Sequence, residues 1–288
     1  MATTTTTQTA PELTREQVSA MLIRPLEDAS VFLQAGPRIF DTHGPLRLPK
    51  LGAVSDMSFI GEGEKIPEAS IDFDQIMLLP DTLKSVKVIH RYTNEMARQS
   101  VVALDATVKD ALVRAVANKL DYNFLSATGD GITTPKGLFA YTDTQQIAVD
   151  GPLEIDDLHD AMGLAMAANV NIAATRWLIR SEDFVALRKL RDTTGNYIMQ
   201  SDVTKAGAFS LLGQPVTVTN RVPEGRAALA DFSQLAVARD LSPSVTLLNE
   251  LFADTDEKGI RVVARMDAAP LNPEAIVTFS GVGASAGA

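Results

Sequence analysis

Paired carboxylates are the first residues in this chain whose types and spacing could do chemistry: Asp72 with Asp74, Asp156 with Asp157, and the run Asp254, Asp256 and Glu257. Acid–base cleavage of a glycosidic bond needs two carboxyl groups converging across a cleft. Asp72 and Asp74 instead sit two apart in strand-like text, which places them on one wet face of a strand. Asp254-Thr-Asp-Glu-Lys-Gly259 lacks the ligand spacing of a calcium loop and reads as a turn leading into a strand. The three histidines, His43, His90 and His159, fall in no HExxH or HxH pattern, so their spacing specifies no metal site. Gly61-Glu-Gly63 and Gly129-Asp-Gly131 invite a phosphate-loop reading. Neither follows GxGxxG or GxxxxGK[ST], and both read as tight turns. With no cysteine in the chain, thiolate metal sites, cysteine nucleophiles and disulfides are excluded.

Charge and composition narrow the remaining classes. A formal charge of −10 repels phosphate backbones, whose tight binding needs clustered Lys and Arg. The short basic runs, Arg188-Lys189-Leu190-Arg191 and the stretch between Lys84 and Arg91, are interleaved with apolar residues and read as solvated faces of a helix and a strand. The 45% hydrophobic and 22% charged content is that of a soluble globular chain. The Thr-rich start has neither the basic opening nor the apolar run of a signal peptide. No apolar run approaches the roughly 18–20 residues that a membrane span needs.

The elements that must position these residues alternate without a βαβ rhythm, which predicts an α+β fold. The Thr-rich start reads as a mobile arm. Text over 31–50 is extended, because Gly36-Pro37, Gly44-Pro45 and Pro49 forbid a long helix. Residues 54–92 read as two long strands with an acidic tip, Gly61-Glu-Gly-Glu-Lys-Ile-Pro67. A two-stranded ribbon is marginal alone in water, so this one is expected to lie on something else. From Thr93 to Ser126 the period turns helical: Val101, Leu104, Val108, Leu112, Val116, Leu120 and Phe124 form the apolar stripe, with Asp121 among the polar remainder. Thr93 or Asn94 supplies the N-cap and Gly129 stops the pattern. Helices are expected over 153–168 and from Ser181 to Leu190. Strands are expected at 176–180, 227–238 (around a turn), 259–267 and 275–279, and 211–219 reads as a turn followed by a strand. The residues 281–288 read as a disordered tail.

In this order the pieces resemble the major capsid proteins of tailed bacteriophages. The extended loop carries Glu62-Gly-Glu-Lys-Ile-Pro-Glu-Ala-Ser70, and the long helix is followed by Thr128-Gly-Asp-Gly131 and Pro135-Lys-Gly-Leu138. Further on come Trp177-Leu-Ile-Arg-Ser181, Leu187-Arg-Lys-Leu-Arg-Asp-Thr-Thr-Gly-Asn-Tyr197, Leu212-Gly-Gln-Pro-Val216 and Pro273-Glu-Ala-Ile276. The resemblance covers nearly the whole chain and rests on order and spacing more than on any one motif. It implies the Hong Kong 97-type capsid fold, with an N-terminal arm, an extended β-hairpin loop, a long spine helix, and peripheral and axial domains. The implied division is 1–34 arm, 35–92 extended loop and flanks, 93–145 spine helix and peripheral domain, 146–251 axial domain, 252–280 return strands of the peripheral domain, and 281–288 flexible tail.

The resemblance also implies a function: self-assembly, through pentamers and hexamers, into an icosahedral shell around a phage's double-stranded DNA. No catalytic residue, cofactor or metal is implied. Expected subunit contacts are Glu62, Glu64 and Lys65 at the loop tip, with Arg188, Lys189 and Arg191 as their cationic partners. Expected partners are further copies of the chain, a separate scaffolding protein, a portal and decoration proteins, with DNA held without specific binding and no membrane. The chain has no room for the scaffolding region that opens some family members. Made in the bacterial cytoplasm, the protein is expected to end in the virion. Some members cross-link through a loop Lys, an Asn and a buried Glu. Lys65 lies near the required place, but Ile260-Arg-Val-Val-Ala264 offers no carboxylate, so no cross-link is expected. The alternatives are an encapsulin-like compartment shell and, more remotely, a hydrolase with a composite carboxylate site.

Overall fold

The computed structural model describes residues 26, 29–54, 59, 61, 71–99, 104–191, 194–195, 209–240, 244–248 and 250–283. Its first elements are α1 (Val31–Gln34), β1 (Arg38–Thr42), β2 (Leu46–Val54), β3 (Ile71–Leu78) and β4 (Val86–Thr93). The helices α2 (Asn94–Gln99) and α3 (Leu104–Phe124) follow. Next come β5 (Gln145–Gly151), α4 (Ile155–Ala167), β6 (Thr175–Ile179), α5 (Ser181–Arg188), β7 (Ser210–Leu211), β8 (Gln214–Val218) and β9 (Arg226–Asp231). The chain closes with β10 (Leu235–Asp240), β11 (Ser244–Leu248), β12 (Glu257–Ala264), β13 (Met266–Pro270) and β14 (Ile276–Val282).

The strands form four sheets, ordered β1-β10-β13, β11-β12-β4, β5-β14-β9-β6-β8-β7 and β2-β3. Helix α3 has no Gly or Pro in its 21 residues, and at 1.5 Å per residue it runs for about 31 Å. Thr93 caps α2 by accepting from the Met96 amide at 3.2 Å, as its sequence position suggests. The helical text was expected to be continuous from 93 to 126; residues 100–103, between α2 and α3, lie outside the described residues.

The buried face of α3 consists of Val113, Val116, Ala117, Leu120, Asp121 and Phe124. It differs from the expected stripe in a specific way. A strict four-residue repeat drifts about 40° per step around a helix of 3.6 residues per turn, so Leu112 is only partly buried while Val113 and Ala117 turn inward. Asp121, expected on the wet side, is 1% exposed.

Two cores result. The first packs α3 against Val262 and Ala264 of β12, Val237 of β10, and the rings of Phe32 and Phe232. Phe32 sits 5.1 Å from Phe124 and 5.7 Å from Phe232, centroid to centroid. The second packs Leu158, Ala161 and Ala165 of α4 and Phe184 and Leu187 of α5 against Trp177 and Phe279 of the six-stranded sheet. The fully buried Trp177 donates its indole N–H to Leu211 O at 3.1 Å, which satisfies its one polar atom.

Three boundaries move relative to the sequence reading. The hairpin strand begins at Leu46, eight residues before 54, and pairs Leu46 with Leu78 and Pro49 with Gln75. The strand text after Pro80 becomes β4, which leaves the hairpin and pairs with β12. Strand β14 continues to Val282, which is buried, two residues into the segment expected to be tail.

Candidate functional site

The β2–β3 ribbon pairs with no third strand among the described residues. Its outward Met77 is 49% exposed. Two strands alone bury too little to be stable in water, so this ribbon depends on its root and on whatever lies against it.

The root is built from the apolar end of β3. Leu78, Leu79 and Leu83 are buried against Ala236 and Ala238 of β10 and Ala269 of β13, with Phe40 and Tyr141 alongside. Leu79 stands at φ 52°, a left-handed conformation that costs a residue with a Cβ about 1–2 kcal/mol. It holds that conformation because its amide donates to Asp267 Oδ2 at 3.0 Å. Asp267 is 3% exposed and also accepts from the Ala268 amide at 3.0 Å. Burial pushes the Asp267 carboxyl above the usual range, against the opposing pull of the Leu79 and Ala268 amides and of Arg265. Two residues before it, Arg265 donates from Nε to Leu83 O at 3.2 Å and from Nη2 to Pro80 O at 2.5 Å.

The same corner is tied to the turn that follows α3. The Lys84 amide donates to Thr133 O at 3.0 Å, and Thr82 Oγ1 to Ile132 O at 2.8 Å. Within the turn, Asp130 Oδ1 accepts from the amides of Ile132, Thr133 and Thr134 at 3.1, 2.9 and 2.9 Å, and Oδ2 from Thr133 Oγ1 at 2.6 Å. The Thr133 hydroxyl and these amides hold its carboxyl well below the ordinary range. Two glycines are required by close approach. A Cβ on Gly129, at φ 120°, would collide with Pro135 O; one on Gly137 would meet Ser126 O and stand 2.6 Å from Ser126 C and 2.7 Å from Ser126 N. The Gly-Asp-Gly and Pro-Lys-Gly motifs are thus two halves of one turn.

The expected contact residues are distributed as follows. Glu62, Glu64 and Lys65 lie outside the described residues, so no pairing of the tip is placed. Arg188 ends α5 with its guanidinium 5.9 Å from the Phe184 ring and 5.7 Å from the Phe209 ring. Lys189 caps that helix and is exposed, as is Arg191. Beside them Val185 and Phe209, each 46% exposed, add apolar surface.

No group of three or more His, Asp or Glu side chains among the described residues could hold a metal ion. An open groove of about 380 Å3 between the end of α3 and residues 220–224 contains two arginines with internal partners. Arg180 donates to Val222 O at 2.8 Å and lies 3.7 Å from both Glu182 and Glu224; Arg221 donates to Asn118 at 2.5 Å. No described helix is long and apolar enough to cross a membrane. Asp121, Arg265 and Asp267 escaped the sequence reading. The one local signal was a charged residue on an otherwise apolar face.

Comparison with known proteins gives the family. The chain is 23% identical over 310 residues to the major capsid protein of Klebsiella oxytoca phage phiKO2, covering 98% of this chain and 71% of that protein. It is 25% identical over 241 residues to the capsid polyprotein of Pseudomonas phage PAJU2, covering 80% of this chain but only 33% of the polyprotein. Among solved structures, it shares its fold with a Mycobacterium phage Adephagia chain (TM-score 0.71, 18% identity, 87% and 89% of the two chains). The same holds for the capsid of a native GTA particle (TM-score 0.69, 15% identity, 88% and 90%). The phage capsid family model matches residues 12–281, nearly the whole of a chain with this mixed architecture, and the chain belongs to that family.

Proposed function

We infer that this chain is the major subunit of a tailed-phage capsid, and that its work is to associate with copies of itself into the closed shell of the virion. Its role is structural. The observation that carries the reading is the β2–β3 ribbon, rooted firmly in the body and paired with no third strand among the described residues. In a shell the neighbouring subunit supplies the burial that the ribbon lacks. The division into arm, extended loop, peripheral domain and axial domain is part of the same proposal, supported by the order of the elements along the chain.

The finer contacts belong to the same proposal. Glu62 and Glu64 at the loop tip meet cations of a neighbouring copy. Arg188, Lys189 and Arg191 are the proposed partners, supported by their position at the exposed end of α5. A scaffolding protein, a portal and decoration proteins complete the assembly, and the net charge of −10 suits a container that does not grip its DNA. Negative-stain microscopy of the purified protein tests the reading. Closed shells are expected; small discrete oligomers under all assembly conditions would overturn it.

A further inference from the structure

The shell reading leaves unexplained why so much of the polar chemistry buried in the described chain is spent on residues 79–84. Five hydrogen bonds from outside reach this corner, and three of them come from two side chains. Asp267 accepts from the Leu79 amide at 3.0 Å, and Arg265 spans Pro80 O at 2.5 Å and Leu83 O at 3.2 Å. The corner is itself closed by a turn from the Leu83 amide to Pro80 O at 2.9 Å. The contacts of Asp267 and Arg265 are all to main-chain atoms of the corner, so they fix the path of the backbone whatever side chains the corner carries. The fork of Arg265 can be matched only when the two carbonyls stand in one relative orientation. Asp267 in turn holds Leu79 in a conformation that it would otherwise leave.

The corner is the hinge position of the arm: β3 ends at Leu78, and β4, fixed to β12 along its whole length, begins at Val86. A direction set here is magnified outward. Strands of eight residues extend about 26 Å at ~3.3 Å each, so a tilt of about 10° at the root moves the far end by about 4–5 Å, close to one strand spacing. Packing of Leu78, Leu79 and Leu83 is non-directional. Their burial keeps the root seated but does not choose its angle.

Resting on the reading that the arm engages a neighbouring subunit, we propose that Asp267 and Arg265 are positioning residues for assembly, which set the direction in which the β2–β3 arm leaves the body. Arg265 joins β12 to β13 and Asp267 is the second residue of β13, so one short segment on either side of Met266 delivers both contacts. Arg265 is kept in place from behind by Asp240, 3.9 Å from Nη1.

The test uses the full chain carrying Arg265→Ala, Arg265→Lys, Asp267→Ala or Asp267→Asn. Amide hydrogen exchange on the unassembled subunit is read together with the rate of shell formation by light scattering. In both alanine variants, exchange at Leu79 and Leu83 is expected to rise at least tenfold while amides in α3 and β14 keep their wild-type protection. Shell formation is expected to slow at least tenfold. Arg265→Lys keeps the charge but not the fork, and is expected to assemble slowly; Asp267→Asn keeps one acceptor for Leu79 and is expected to recover part of the rate. Where an alanine variant fails to fold, the lysine and asparagine variants carry the comparison. Unchanged exchange at the corner overturns the proposal, and so does loosened exchange with wild-type assembly. Removal of residues 62–68 judges the underlying reading separately: assembly unaffected by that deletion sinks arm engagement, whatever the corner does.

Discussion

Ser30 Oγ donates to Asp121 Oδ1 at 2.5 Å, joining the N-cap of α1 to the last turn of α3 across 91 residues. The same carboxylate accepts from the Val31 amide at 2.9 Å and the Phe32 amide at 3.2 Å, while Ser30 Oγ accepts from the Leu33 amide at 3.2 Å. The first turn of α1 therefore has its orphan amides satisfied by a residue of another helix. That arrangement fixes where the segment preceding the body is seated, with Phe32 inserted between Phe124 and Phe232.

Asp121→Ala should strip three donors of their acceptor inside the core. Unpartnered buried groups of this kind cost about 1–3 kcal/mol each before relaxation, so a net loss of about 2–4 kcal/mol is expected. Asp121→Asn, which keeps one acceptor oxygen, should lose about half as much. Urea denaturation of the unassembled subunit checks both. A loss below about 0.5 kcal/mol for the alanine variant would show that the contact contributes nothing.

Gly137→Ala is expected to be among the most damaging single-methyl changes in the chain. Its backbone is ordinary, at φ −73°, so the cost is purely steric: the new Cβ would meet main-chain atoms of Ser126, which cannot rotate away. Overpacking of this severity costs about 1–3 kcal/mol or more. Gly44→Ala, with nothing within 4 Å of the added carbon, is the control and should be nearly neutral. Equal melting midpoints for the two variants would contradict the close approach.

These two cases mark where the sequence was legible and where it was not. The helical text between 104 and 124 was readable because it has no Gly or Pro and repeats an apolar residue every three or four positions. The rotation of its buried face depends on neighbours that arrive from far along the chain, β12 above all. Asp121 read as solvated because its partners lie some 90 residues earlier. Leu46–Lys50 read as merely extended, since Gly44-Pro45 and Pro49 ruled out a long helix without naming a strand partner; a strand with one partner among the described residues tolerates the missing amide of Pro49. The parallel pairing of β1 with β10, which brings Asp41 within 2.6 Å of Arg239, has no local signature at all. The Gly-Asp-Gly and Pro-Lys-Gly motifs were each legible as turns, but that they close on one another was not.

Asp267 makes a pH prediction with a definite sign. Burial raises its folded-state pKa above the unfolded value, so folding favours its protonated form. Its contribution to stability is complete below the unfolded value of about 3.9 and is lost as pH rises through the folded value. Asp267→Asn removes that titration. Whatever its offset, the melting midpoint of the variant relative to wild type should climb as pH increases from about 4 upward. Asp183, also raised by burial, and Asp130, lowered by its hydrogen bonds, are present in both proteins and cancel in the difference. A difference that stays flat over this range would show that Asp267 does not titrate with a raised value.

The shell should carry no covalent links between subunits. Within β12, Ile260, Val262 and Ala264 turn into the core and Arg261 outward, so the stretch 260–264, where the resemblance would put the base, presents no carboxylate. Boiled particles are expected to run as a single monomer band on a denaturing gel. A ladder of linked species would overturn this expectation and point to a base elsewhere in the chain.

Reversing the charge of the loop tip tests the proposed contact most directly. Glu62→Lys with Glu64→Lys changes the local balance of a segment that otherwise opposes Lys65 with Glu62, Glu64 and Glu68. Like charges brought together at an interface slow association more than they weaken a formed contact, and salt screens the effect. The double variant should therefore fold with a wild-type melting midpoint yet assemble at least tenfold more slowly at low salt, with the gap narrowing as salt is raised. If Arg188, Lys189 and Arg191 are the partners, adding Lys189→Glu and Arg191→Glu should restore part of the rate. Arg188 is left intact because its guanidinium lies over Phe184 and Phe209 and serves packing as well as charge. Normal assembly of the double variant removes the tip from the contact. Slow assembly without rescue keeps the tip but assigns its cation to another face of the neighbouring subunit.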